Sequence, residues 1–117
     1  MASTAYVSFC KTGGSNENYR IRFSRLASVL FDGVEWVKIS KTMDYIVLTP
    51  LQAREQYAFH VCRDPYNAAW ISFVYLVRRE GEVSKTLFGK RYKVKRDKKG
   101  RIYICLNEVV GYVGNRE

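Results

Sequence analysis

Residues 70–81 read WISFVYLVRREG, and the fold turns on whether this stretch is a strand or a helix. Seven of its first eight residues are apolar or aromatic, and several are β-branched, which suits a buried strand. Residues 22–33, RFSRLASVLFDG, change that reading. Ser24 precedes Gly33 by nine residues, and Ser72 precedes Gly81 by nine. A serine hydroxyl can accept from a free N–H of a first helical turn, and glycine supplies a left-handed stop. Leu26, Val29 and Leu30 fall at helical spacing after Ser24, and Val74 and Val77 hold the offsets of Leu26 and Val29. Helix propensity of β-branched and aromatic residues is about a few tenths of a kcal/mol worse than average, so packing can override it. The comparison predicts a strand ending near Ile71 and a helix from Phe73 to Glu80.

Working outward, each half of the chain reads β-β-α-β-β. In the first, Tyr6–Cys10 and Tyr19–Phe23 are strands around the polar loop KTGGSNEN, followed by the Ser24 helix. VEWVKIS and DYIVLTP then form two strands about the turn KTMD. In the second, YAFHVC matches YVSFC, each ending in cysteine (Cys62, Cys10), and WIS matches RFS. After an insertion, EVSKTLFG, the stretch KRYKVKRDKKGRIYICL matches the first hairpin, with Ile46 and Leu48 mapping onto Ile102 and Ile104. The expected fold class is a β-rich α+β domain spanning 1–117, built of two tandem units at about residues 5–50 and 57–106. Were residues 70–81 a strand instead, the second half would be a meander ending in a helix at LNEVVGY.

The chain has 117 residues, 47% of them hydrophobic and 15% aromatic, the profile of one globular domain. It has no apolar run long enough for a spanning helix, and MASTAYVSFCKTGG lacks the basic flank and apolar core of a signal peptide. Cys10, Cys62 and Cys105 are odd in number and widely spaced, as in a reduced cytoplasmic protein. The net charge is +9. Residues 1–56 carry seven basic and five acidic side chains, whereas residues 57–117 carry thirteen and six. Lys90–Arg101 alone holds eight basic residues and one acid. A solvated hairpin tip is one account of such a run, and a polyanion partner is the other.

The stretch YRIRFSRLASVLFDGVEWVKISKTMDYIVLTPL, residues 19–51, resembles the AbrB/MazE-like swapped-hairpin family of bacterial DNA-binding proteins. The resemblance lies in a basic β-branched strand, a short Leu-containing helix and a hairpin ending in DYIVLTPL. The family usually has Gly-Arg before the strand and Pro at the helix start, where this chain has Asn18-Tyr19-Arg20 and Ser24. In that family two chains interleave hairpins into one barrel, so two tandem units imply an intrachain swapped-hairpin barrel. A second resemblance competes at residues 92–110. YKVKRDKKGRIYICLNEVV looks like the last hairpin and helix start of the positive-cofactor and whirly single-stranded-DNA-binding folds.

Catalytic signatures are absent: there is no P-loop, Rossmann fingerprint, GxSxG or HExxH. His60 and Cys62 lie two apart, on one face of a strand, and with Cys10 and Cys105 would make a Cys₃His set, but the short ligand spacing of zinc sites is missing. No metal, cofactor or enzymatic activity is expected. The basic residues carry the functional expectation. In a strand, Arg91, Lys93 and Lys95 share one face and Tyr92 and Val94 the other, while Arg101 and Tyr103 oppose Ile102 and Ile104. Lys90, Arg96, Lys98 and Lys99 add to this hairpin. In the first unit Arg20 and Arg22 alternate with Ile21 and Phe23, and Arg25 opens the helix. Cations beside an aromatic suit a phosphate backbone and a stacked base. Trp36, Trp70, Phe23, Phe31, Phe59 and Tyr45 are assigned to the core, and Tyr19, Tyr66 and Tyr103 are the tyrosines expected beside basic residues. The expected function is non-enzymatic nucleic-acid binding, DNA over RNA, as a bacterial or mobile-element regulator acting as monomer or homodimer away from membranes. The alternative is a small phage protein that binds a protein or ribonucleoprotein complex, such as a CRISPR nuclease, and blocks its nucleic-acid site.

Overall fold

The computed structural model describes residues 5–12, 18–72 and 87–112. The helix expected over Phe73–Glu80 lies outside the described residues. The strands are β1 (Tyr6–Thr12), β2 (Asn18–Phe23), β3 (Trp36–Lys41), β4 (Tyr45–Leu51), β5 (Phe59–His60), β6 (Cys62–Arg63), β7 (Ala69–Ser72), β8 (Lys90–Arg96) and β9 (Ile102–Tyr112). One helix, α1 (Arg25–Ser28), runs on into a 3₁₀ turn at Val29–Phe31. Every strand pairing is antiparallel, in the order β5-β3-β4-β9-β8-β1-β2-β7-β6.

The two ends of that order belong to one short run of chain. Phe59 and His60 pair with β3, Cys62 and Arg63 pair with β7, and between them the Val61 N–H donates to the Glu35 carbonyl at 2.8 Å. The sheet therefore nearly closes into a barrel, which leaves little unpaired edge. The molecule is β-rich, with a nearly closed barrel-like sheet and one short helix among the described residues.

Period-two alternation sets the interior. Val7 and Phe9, Ile21 and Phe23, Ile46 and Leu48, Tyr92 and Val94, and Ile102 and Ile104 all point inward and are buried. Fully burying one such aliphatic side chain contributes about 1.5–3 kcal/mol. Tyr92 packs edge-on against Phe9 at 5.6 Å, and its hydroxyl donates to the Leu87 carbonyl at 3.2 Å, so the one polar atom it takes inside is satisfied.

Helix α1 packs against β1 and β2. Ser24 caps it as expected, accepting from the Ala27 N–H at 3.2 Å, and also accepts from the Tyr6 N–H at 3.1 Å. Gly33 follows with φ +77°, the left-handed stop. The buried face, however, is Ala27, Ser28 and Phe31, while Leu26 and Val29 are exposed. The reason is the tightening from α to 3₁₀, which shifts the phase, together with a polar need. The Ser28 hydroxyl accepts from the Ala69 N–H at 2.8 Å and donates to the Ser24 carbonyl at 2.7 Å, tying helix to β7.

LNEVVGY is also a correction: it forms no helix start but lies within β9. The ladder slips between Tyr92 and Lys93, leaving Leu106–Glu108 opposite no residue of β8. Those residues turn to the β3–β4 turn instead, where Leu106 N–H and Asn107 Nδ2 donate to the Asp44 carbonyl and carboxylate at 2.9 and 2.7 Å. After this bulge β9 rejoins β8 through Val109, Gly111 and Tyr112.

Candidate nucleic-acid interface

The outward positions of β2, β1 and β8 form one surface. Ser8 on β1 lies opposite Arg22 on β2 and opposite Arg91 on β8. Two arginines far apart in sequence thus flank one small side chain. On β8, Lys93 and Lys95 continue the row, and on β2 Arg20 sits one step along from Arg22. The expected alternation along β8 is seen: Tyr92 and Val94 are buried, Lys93 and Lys95 are exposed and Arg91 is half-buried.

Rings line the same surface. The Arg20 guanidinium lies 3.9 Å from the Trp70 ring centroid, that of Arg91 4.4 Å from Tyr6, and the Lys95 ammonium 5.3 Å from Tyr45. Each ring face attracts its cation and holds it in place. Trp70, Trp36 and Tyr45 are therefore not core residues: they stand half-buried on the outside, whereas Phe23 and Phe31 are buried 4.6 Å apart and Phe59 packs on the core. The alternation signals this, since Ile71 and Ile46 beside them point inward. Tyr6 and Ser8, absent from the sequence-based site, join it through the long-range β1–β8 register. Tyr66 is 76% exposed; the Tyr19 side chain lies outside those described.

The basic residues differ in how far they are committed. Asp97 organises the β8–β9 tip. Its Oδ1 accepts from the Lys99 and Arg101 N–H groups, both at 2.9 Å, and its Oδ2 from Arg101 Nε at 2.8 Å and Tyr103 OH at 3.2 Å. Desolvation raises the Asp97 carboxyl, but the bonds from the Arg101 and Lys99 backbone and the Arg101 side chain outweigh it and leave its pKa below the ordinary value. The same side-chain bond raises that of Arg101. Arg101 and Tyr103 are thus structural parts of the tip, the latter edge-on to Tyr45 at 5.5 Å. Lys93 is 3.5 Å from Glu108, and Arg22 is 3.9 Å from Asp64. Lys98 and Lys99 lie at the tip beside Arg96, which is exposed; Lys90 is half-buried, and Arg25 is exposed at the start of α1. The Nε atoms of Arg20 and Arg91 are buried without a hydrogen-bond partner among the described residues. Lys38 is exposed and ion-paired with Glu55 at 3.2 Å.

His60 and Cys62 do lie together, Nδ1 to Sγ 3.4 Å, with the imidazole tilted against Trp36 at 4.8 Å. Burial pushes the Cys62 thiol up, against the nearby Arg20 charge, and burial likewise raises Cys105. Neither is poised as a thiolate. Among the described residues no three His, Cys, Asp or Glu side chains gather as a metal-binding group. No described helix is long and apolar enough to cross a membrane. No family model, curated protein or solved structure matches the chain.

Proposed function

We propose that the chain binds nucleic acid, DNA in the first place, without catalysing a reaction, as a regulator of bacterial or mobile-element origin. The observation that carries this reading is the meeting of Arg20 and Arg22 with Arg91, Lys93 and Lys95 on one outer surface across β1. Strands about 4.8 Å apart carry these cations, which gathers their charge on one face. A phosphate backbone is the polyanion that such a row neutralises, releasing counterions. Lys98 and Lys99 at the Asp97-braced tip extend the surface.

The swapped-hairpin resemblance supports the same reading in finer form. Around the barrel, hairpins from the two halves alternate: β3–β4, then β9–β8, then β1–β2, then β7–β6. The registers also agree with an internal duplication. Laying Cys10 on Cys62 lays Val7 on Phe59; Val7 faces Tyr92 and Phe59 faces Val37, so Tyr92 falls on Val37. Laying Ile46 on Ile102 lays their partners Lys41 on Arg96. Four residues earlier along each strand, Val37 again falls on Tyr92. Two separate alignments meet at one correspondence. In this reading the hairpins interleave within one chain, and the covalent link replaces a second subunit.

A gel shift tests the function. Changing Lys93, Lys95, Lys98 and Lys99 together to Ala abolishes the shift in a chain that still melts cooperatively. An unchanged shift overturns the proposal, and a stable complex with a protein partner that ignores these changes points to the inhibitor reading.

A further inference from the structure

Two clefts meet beside α1, and their linings are of opposite character. One, of about 300 Å³, counts Arg22, Arg25 and Arg91 among its lining residues, together with Ser8 and Ser24. The other, of about 690 Å³, is lined by Leu26, Val29, Tyr66 and Asn67. Tyr6, Ser24 and Arg25 line both, so the two clefts adjoin there, the smaller forming a more basic half and the larger a more apolar half.

The basic half is short of counter-charge. Arg25 and Arg91 have no ion pair or hydrogen bond to the described residues, and Arg91 Nε is buried without a partner among them. The Arg22–Asp64 pair is long, at 3.9 Å, and Asp64 Oδ1 is held in its own turn by the Tyr66 and Ala68 N–H groups at 2.8 and 2.9 Å. A tetrahedral anion accepting from two guanidiniums and a hydroxyl would relieve this. The apolar half exposes Leu26 and Val29, which a core-facing helix would have buried, and Tyr66 at 76% exposure. A planar, partly polar group beside an anion is what suits both halves.

From this we infer that the groove holds one unpaired nucleotide, its phosphate between Arg22, Arg91 and Ser8 and its base against Tyr66, Leu26 and Val29. The inference rests on the nucleic-acid reading and sharpens it toward single strands, because a base inside a duplex cannot reach the apolar half. The same chemistry could come from a free mononucleotide or from a strand.

The test is amide NMR of the full chain titrated with adenosine 5′-monophosphate, adenosine, inorganic phosphate and a five-nucleotide single strand. The monophosphate is expected to move Ser8, Arg25 and Tyr66 as one saturating set, with phosphate moving only the Ser8 and Arg22 side. Arg91→Gln and, as a second variant, Arg22→Gln each weaken the monophosphate about tenfold, the cost of one charged hydrogen bond. Tyr66→Ala weakens the monophosphate about fivefold or more through lost stacking and leaves phosphate unchanged. If the five-mer gains on the monophosphate and its affinity falls in the same variants, a strand is the source; if it gains nothing, a free nucleotide is. Shifts confined to Lys95–Lys99, or affinities untouched by all three variants, overturn the inference. In that case a gel shift still lost on changing the tip lysines leaves the broader reading standing.

Discussion

The β3–β4 and β8–β9 hairpins have the same inside and different outsides. Both send alternate aliphatic or aromatic side chains into the barrel, Val37, Ile46 and Leu48 in one and Tyr92, Val94, Ile102 and Ile104 in the other. Residues 36–51 carry two lysines and one aspartate, whereas Lys90–Arg101 carries eight basic residues and one acid. Their turns differ likewise. Thr42 braces the first, its Oγ1 accepting from the Tyr45 N–H at 3.1 Å, while Asp97 braces the second with four bonds. Since the weakly charged hairpin fits the barrel as well as the strongly basic one, folding does not explain the charge. It is an addition to the outer face, held there by a carboxylate that takes up part of it.

The comparison breaks first if the two insides are not equivalent. Leu48→Ala and Ile104→Ala should each cost about 2–5 kcal/mol in urea unfolding, because both leave a cavity at a fully buried site. A near-neutral Leu48→Ala would mean that the first hairpin is peripheral. The turns give the next effect. Asp97→Ala should lower the melting temperature more than Thr42→Ala, since it strips partners from two backbone N–H groups, Arg101 Nε and the Tyr103 hydroxyl. The pH dependence has a definite sign. The Asp97 pKa is depressed on folding, so its contribution is present above the unfolded carboxylate value of about 3.9 and is lost as pH falls through the folded value. Wild type and Asp97→Asn should therefore converge in stability on acidification, and a gap that widens in acid would contradict the assignment. The smallest effects come from exposed ion pairs. Lys38→Ala and Lys93→Ala should each change stability by less than about 1 kcal/mol. Only Lys93→Ala should weaken nucleic-acid binding, and this separates charge from fold.

What was legible in the sequence was local. The Ser24 cap, the Gly33 stop and the inward pairs Ile46/Leu48 and Ile102/Ile104 follow from short-range rules. The buried face of α1 was not legible, because a four-residue helix passing into a 3₁₀ turn has no settled phase and Ser28 is drawn inward to serve the Ala69 N–H. LNEVVGY reads as a helix start only through the single-stranded-DNA-binding resemblance and the meander alternative, not through any local cap or periodicity. Its strand is fixed instead by the ladder to Lys90–Tyr92, reached across a bulge that Asp44 satisfies. Of the site, the β8 face could be read from alternation alone. That Arg22 and Arg91 flank Ser8 could not, since it depends on the β1–β8 register between residues more than eighty positions apart.

The most direct measurement is the salt dependence of binding to a short single-stranded DNA, for wild type and for the chain with Lys93, Lys95, Lys98 and Lys99 changed to Ala. Each phosphate contact contributes about 0.7 to the slope of log affinity against log salt for a single strand. The account predicts a steep wild-type slope that falls by about 2–3 in the variant, with unfolding unchanged within about 1 kcal/mol. Equal slopes in the two proteins, or a wild-type affinity indifferent to salt, would contradict it.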